Sequence, residues 1–204
     1  MRYIVGIAGG TGSGKTTFAT KLSESFQEGA AQVLSVDNYY RCQRSLSLEE
    51  RALVNYDHPE ALELDLLGAH LKEIRQGVDA NIPQYDFTTH TRRESGTSIS
   101  PGKILIVEGI LTFYQREVMA QLDYRIFIDA PGNLRYERRL NRDLQSRGRT
   151  EESVQQQWMQ SVEPMFREFC APTRELADLV IDGASFGKQE VYRVRDLINK
   201  QLAQ

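Results

Sequence analysis

An α/β fold, with a five-stranded and mainly parallel sheet flanked by helices, is what this sequence of 204 residues predicts. Two patterns carry the prediction. Short apolar runs recur at residues 3–8, 33–36, 104–107, 125–128 and 179–181, with segments of helical period between them. Parallel strands covered on both faces read as continuous apolar runs and need helical crossovers, so the alternation specifies a sheet with helices on its faces. The second pattern is the glycine-rich stretch GGTGSGKTT, which follows the first apolar run directly and opens an amphipathic segment. No Pro/Gly/Ser linker divides the chain, and 40% hydrophobic content suffices for one core, so residues 1–204 read as a single domain with insertions.

The elements follow in chain order. Gly9, Gly10, Thr11, Gly12, Ser13, Gly14, Lys15, Thr16 and Thr17 satisfy G-x-x-x-x-G-K-[ST] between a strand and a helix, the signature of a phosphate-binding P-loop. Glycines let backbone N–H groups wrap a polyphosphate, and the N-terminus of the next helix adds its partial positive charge. Lys15 is placed to reach the β- and γ-phosphates, and the Thr16 hydroxyl falls where a Mg²⁺ ligand is needed. Phe18, Leu22 and Phe26 line one face of that helix, while Leu67, Leu71 and Ile74 define another helix between Pro59 and Gly77. Residues 82–100 change to Thr, Tyr and Phe with polar neighbours, with a Glu-Ser-Gly turn at Gly96 and Pro101-Gly102 at the far end. This predicts a β-hairpin inserted over residues 78–102. Apolar residues at 191, 194, 198 and 202 give a terminal helix packed on the sheet or on a neighbouring subunit.

Ligands in an open parallel sheet bind beyond the carboxyl ends of its strands. Gly9, Asp37, Glu108 and Asp129 each stand just after an apolar run. Asp37 faces the phosphate site. Glu108 resembles a Walker-B acid with glutamate in place of aspartate, able to hold Mg²⁺ directly or through water. Asp129, followed by Ala130 and Pro131, reads as an N-cap or loop acid. Further on, Arg135, Arg138, Arg139, Arg142, Arg147 and Arg149 stand against only Glu137 and Asp143, in a chain of formal net charge −3. Alone, such a segment is a solvated basic helix. Beside a P-loop it reads as an arginine-rich lid over residues 138–150, in which Arg142, Arg147 and Arg149 bind phosphate oxygens through their guanidinium forks. Arg135, Arg139 and Arg142 share a helical face, and residues 146–149 form a turn.

Composition narrows the partners. A pI near 5.7 supplies no global field for nucleic acid or an anionic membrane, so neither is expected to bind. Cys42 and Cys170 form no C-x-x-C pair, and no signal peptide or apolar span precedes the first strand; a cytoplasmic protein with free thiols is expected.

The P-loop, DNYYR after the second apolar run, NYDHPEALELDLL (55–67), PQYDFTTHTR (83–92), VEGILTFY (107–114), RDLQSRGR (142–149) and VEPMFREFCAPTRELADLVI (162–181) occur in the order found in uridine kinases. Over about residues 3–182 the chain resembles that family, within the wider P-loop kinase group that includes phosphoribulokinase. The resemblance implies a P-loop kinase fold and transfer of the γ-phosphoryl of ATP or GTP, with Mg²⁺, to the 5′-hydroxyl of uridine or cytidine. It makes Asp37 the catalytic base beside Lys15, gives Asp57 and Arg139 the ribose hydroxyls, frames the nucleoside with Tyr40, Tyr85 and Phe87, and sets His90 at the base edge. Arg142 and Gln157 join the substrate pocket by the same implication, and a homotetramer is the implied assembly. Uridine against cytidine, ATP against GTP, and feedback inhibition by CTP or UTP stay open. The alternatives are a P-loop kinase of another small alcohol, in which Arg41 and Arg44 bind a phosphorylated acceptor, or a nucleotide-dependent switch without transfer activity.

Overall fold

The computed structural model describes residues 2–100 and 102–203; Pro101, at the foot of the expected hairpin, lies outside them. Strand β1 (Tyr3–Ala8) enters the P-loop and continues into helix α1 (Lys15–Glu24). Strand β2 (Ala31–Ser35) is followed by a 3-10 turn (Val36–Tyr39), a strap containing α2 (Leu48–Ala52), and α3 (Leu64–Arg75). The inserted hairpin holds β3 (Ala80–Ile82), β4 (Tyr85–Asp86), β5 (Thr91–Arg92) and β6 (Thr97–Ile99). Strand β7 (Ile104–Glu108), α4 (Arg116–Met119), β8 (Tyr124–Asp129) and α5 (Gly132–Ser146) follow. From α6 (Glu151–Gln157) the chain stays helical through a π-helical stretch (Trp158–Val162), α7 (Glu163–Met165), a second π-helical stretch (Phe166–Cys170) and a 3-10 segment (Ala171–Leu176). Strand β9 (Leu179–Asp182) and α8 (Lys188–Leu202) complete it.

The main sheet has the order β2-β7-β1-β8-β9 and every pairing in it is parallel, as the alternation of apolar runs and helices requires. Successive side chains divide between the faces. Leu105 and Val107 of β7 pack with Leu67, Leu71 and Ile74 of α3 on one face, whereas Ile104 and Ile106 meet Phe18 and Leu22 of α1 and Val191, Val194 and Ile198 of α8 on the other. The terminal helix therefore spends its apolar stripe on the sheet, while Leu202 stays exposed. Helix α3 ends where the sequence marks it: Gly77 takes φ +88°, its N–H bonds the Ile74 carbonyl, and the Val78 N–H bonds that of Glu73. That is a glycine-closed helix end of the Schellman type.

Two local expectations are revised. The second apolar run ends one residue early, because Ser35 caps the 3-10 turn by accepting the Asp37 N–H at 3.3 Å; Asp37 thus sits in a turn of fixed geometry instead of a free loop. In the hairpin the reversal falls at residues 87–90, with Asp86 accepting N–H bonds from Thr88 and Thr89 and His90 at φ +54°. Gly96 lies instead in a bend between the β4–β5 and β3–β6 ladders.

Leu71 is fully buried between α3 and the sheet. Leu71→Ala is expected to destabilise the protein by about 2–5 kcal/mol in urea unfolding. A loss under about 1 kcal/mol would contradict this packing.

Candidate active site

The P-loop turns on glycines in the left-handed region: φ is +142° at Gly9, +74° at Gly12 and +102° at Gly14. A Cβ at Gly9 would run into the Ile128 carbonyl oxygen of β8, and one at Gly12 into the Arg135 carbonyl oxygen of α5. The loop is thus packed at backbone contact against both neighbours. Gly9, Gly10 and Ser13 are buried beneath it, and the Lys15 ammonium is held inward by the Gly10 carbonyl at 3.0 Å. Helix α1 starts at Lys15, so its first-turn N–H groups open toward the cleft.

β7 lies beside β1, which brings its last residue, Glu108, to the loop, where the Thr16 hydroxyl donates to the carboxylate at 3.2 Å. Burial pushes the Glu108 carboxyl above its ordinary range; Asp37 adds to the shift, while Lys15 opposes it. Hydroxyl and carboxylate oxygens are hard donors suited to Mg²⁺. Among the described residues no cluster of three or more His, Cys, Asp or Glu could hold a metal, so Thr16 and Glu108 would supply only part of a cation's shell, with water or phosphate oxygens for the rest.

One cavity of about 630 Å³ gathers Thr11, Gly12, Gly14, Lys15, Thr16 and Thr17 with Asp37, Glu108, Tyr40 and Asp57, and across from them Phe87, Arg139, Arg142 and Arg147. Arg139 is nearly buried; it donates to Gln157 at 3.0 Å and to the Thr11 hydroxyl at 3.4 Å. Asp57 is pushed up by burial, with Arg139 pulling the other way. A second cavity, of about 830 Å³, shares Phe87 and Arg147 with the first and adds His90, Arg149 and Gln157. Burial, then Arg149 and Arg147, push the His90 imidazole below its ordinary value.

Most residues singled out from the sequence meet here, and three do not behave as expected. Tyr85 lines neither cavity: its ring is buried behind Tyr40, Phe87 and His90 and backs them. Arg135 does not share the cleft with Arg139 and Arg142, although the helical period aligns them. It is buried under the loop, paired with Glu163 at 2.8 Å and stacked over Phe166 at 3.7 Å. Asp129 caps no helix, since Pro131 holds that position without a side-chain bond, and pairs with Arg174 at 3.1 Å.

The sequence assigns no role of their own to other contributors, although Arg138 falls in its arginine segment and Tyr56 and Arg92 in its motifs. Tyr56 stacks on His90 with ring centroids 4.7 Å apart and planes 16° from parallel. Arg138 donates to the Gly12, Ser13 and Gly183 carbonyls, tying the P-loop to the loop after β9. Arg92 of the hairpin donates to the Tyr39 and Tyr40 carbonyls, each at 2.9 Å, and pairs with Glu63. His70 bonds the Tyr39 hydroxyl at 3.0 Å and so supports the turn bearing Asp37. Such contacts join segments remote in sequence.

A glycine loop that cradles polyphosphate, facing a carboxylate and the arginine-rich end of a helix, is the arrangement of a P-loop kinase, whose phosphoryl donor is a nucleoside triphosphate. Within that class the chain belongs to the Phosphoribulokinase / Uridine kinase family, which residues 4–188 match. It is 41% identical over 179 residues to a uridine kinase of Deinococcus deserti, covering 88% of this chain and 86% of that protein. It is also 42% identical over 178 residues to a uridine kinase of Clostridium novyi, covering 87% and 86% respectively. The fold is shared with the phosphoribulokinase of Rhodobacter spheroides, at a TM-score of 0.66 and 19% identity over 90% of this chain and 73% of that one. No helix among the described residues is long and apolar enough to cross a membrane.

Because Gly12 sits at positive φ against the α5 backbone, Gly12→Ala is expected to lower the melting temperature and weaken Mg-ADP binding about tenfold or more. Parent-like melting and calorimetric affinity would contradict this placement of the loop.

Proposed function

We propose that this chain phosphorylates uridine and cytidine at the ribose 5′-hydroxyl, with ATP or GTP as donor. The observation that carries the reading is that the P-loop, Asp37 and the Asp57/Arg139 pair line one cavity, which continues through Phe87 and Arg147 into a pocket edged by His90. Asp37 orients the 5′-hydroxyl and accepts its proton; in a loose phosphoryl-transfer transition state that transfer is late, so a strong base is not required. Lys15 steadies the β- and γ-phosphate oxygens, and Arg142, Arg147 and Arg149 meet the charge on the donor. Thr16 and Glu108 would hold Mg²⁺, which when bound neutralises phosphate charge. Asp57 accepts hydrogen bonds from the ribose hydroxyls beside Arg139. The aromatic groups exclude water from the pocket, and His90 meets the pyrimidine edge, where uracil and cytosine exchange acceptor for donor. A cytoplasmic homotetramer remains the expectation for the assembled enzyme.

A phosphorylated acceptor is not favoured. Arg41 is engaged by the Glu60 carbonyl and Glu63, Arg44 by the Arg92 carbonyl, and neither lines the cavity.

The direct test is ADP release from Mg-ATP with uridine, cytidine, adenosine, pantothenate or ribulose 5-phosphate, with product masses checked. Stimulation by uridine or cytidine with formation of the 5′-monophosphate is expected; another acceptor would overturn the nucleoside pocket, and acceptor-independent hydrolysis would favour a switch. Asp37→Asn should lower kcat by about 10²- to 10⁴-fold with uridine affinity little changed; parent-like kcat would remove it as base. Burial, with Arg149 and Arg147, pushes His90 below its ordinary value, which favours its neutral form. The uridine-to-cytidine ratio of kcat/KM should be flat between about pH 7 and 8, below the ionisation of uracil N3, and its bend on the acid side should be lost in His90→Ala. A ratio that titrates between about pH 7 and 8 in the parent but not in His90→Ala would exclude this role.

A further inference from the structure

Asp143 is 0% exposed although it belongs to the most basic stretch of the chain. Its carboxylate is surrounded by three guanidinium groups: Arg142 Nε donates to Oδ1 at 2.9 Å, while Arg139 Nε at 3.4 Å and Arg147 Nη1 at 3.6 Å are ion-pair partners without a hydrogen bond. The backbone carbonyl of the same residue accepts the N–H groups of Arg147 and Arg149, at 3.2 and 3.3 Å. One residue therefore ties the end of α5 to the turn that follows, through both its side chain and its main chain. A buried carboxylate is costly unless it is paired, and a surface i, i+4 ion pair needs no burial at all.

What is paired matters more than the pairing. Arg139, Arg142 and Arg147 all line the P-loop cavity; Arg139 and Arg142 turn their inner Nε, and Arg147 its Nη1, to Asp143. Among the described residues Arg142 has no other protein partner for its side chain, which leaves both of its terminal nitrogens for a ligand. Arg147 also lies over the Phe87 ring at 4.8 Å, on the nucleoside side of the cleft. Three like charges meeting at one point would splay apart without the carboxylate between them.

We infer that Asp143 is a positioning residue for phosphoryl transfer, holding Arg139, Arg142 and Arg147 at fixed spacing before the triphosphate arrives. This rests on the reading of those arginines as ligands of substrate and phosphate. Preorganised charge acts where charge develops in the transition state, whereas ground-state attraction for a polyanion needs only nearby cations. Removing the carboxylate's charge should thus spare nucleotide binding and lower turnover.

The experiment is a cycle of Asp143→Asn, Arg147→Ala and the double variant, with kcat for uridine and Mg-ADP binding by calorimetry. Asp143→Asn is expected to bind one Mg-ADP per chain with Kd within about threefold of the parent, while kcat falls about tenfold or more. In the Arg147→Ala background the same substitution should cost less than it does in the parent, because part of the carboxylate's effect acts through that arginine. Parent-like kcat overturns the inference, as does a loss that persists undiminished in the double variant with less than one nucleotide bound per chain, the mark of a folding defect. If Asp143→Asn does not fold, Asp143→Glu replaces it, with its displaced carboxylate expected to lower kcat about threefold or more; parent-like turnover there overturns the inference as well. Arg142→Ala and Arg147→Ala separate the two readings. If both keep full kcat, the arginine assignment itself fails; if they lose it and Asp143→Asn does not, only the role of Asp143 falls.

Discussion

The left-handed turn at Gly9, Gly12 and Gly14 is the constraint from which the rest of the cleft is measured. It converts β1 into α1 within a few residues and points the first N–H groups of the helix at the place where Lys15 is folded inward. Side chains are excluded at Gly9 and Gly12 by carbonyl oxygens of β8 and α5, so the sheet and the arginine-bearing helix stand at backbone contact with the loop. That contact fixes where Arg138 and Arg139 reach. The strand order does the same for the acids: β7 beside β1 delivers Glu108, and β2 beyond β7 delivers Asp37 through its capped turn.

The nucleoside side rests on a weaker scaffold. Ladders of two and three residue pairs do not hold a hairpin together by themselves in water. The hairpin is held instead by what it touches: Arg92 on the carbonyls of Tyr39 and Tyr40, Arg51 on the Thr89 carbonyl at 2.8 Å, and the cluster of Tyr40, Tyr56, Tyr85 and Phe87. The contacts with Tyr39 and Tyr40 run to the same short turn that presents Asp37. Hairpin and turn are therefore joined by direct hydrogen bonds, which in the proposed reading would link contact with the pyrimidine to the position of the base.

Legibility in the sequence followed the range of the interaction. The P-loop, the parallel sheet and the helices with apolar stripes were readable because each is written in consecutive or periodic residues. Asp37 and Glu108 were readable because both lie at strand ends, where such a fold gathers its ligands. Periodicity misled at Arg135: it assigns a face, and burial beneath Gly10 and Phe166 is decided by what packs on that face. Tyr85, which the family resemblance set beside the nucleoside, stands behind Tyr40, Phe87 and His90, a depth that a motif in sequence does not encode. The stacking of Tyr56 on His90 and the reach of Arg92 depend on contacts between residues some 34 and more than 50 positions apart, and no local pattern encodes them.

Charge in the cleft is left deliberately incomplete. Burial pushes the Glu108 and Asp57 carboxyls up and the Arg147 and Arg149 guanidiniums down, the cost of holding charge in an enclosed cleft. A site built for stability alone would pair these groups with one another, as Asp178 is paired with Arg125 at the far end of the sheet. In the proposed reading the reaction supplies further partners: anionic phosphates for the arginines, ribose hydroxyls for Asp57, and a cation for Glu108. Asp143 is fully buried among three guanidiniums, and it neutralises only part of the charge around it. Three guanidiniums against one carboxylate leave a net positive cleft whose shape is set by the protein and whose neutrality is left to the substrate.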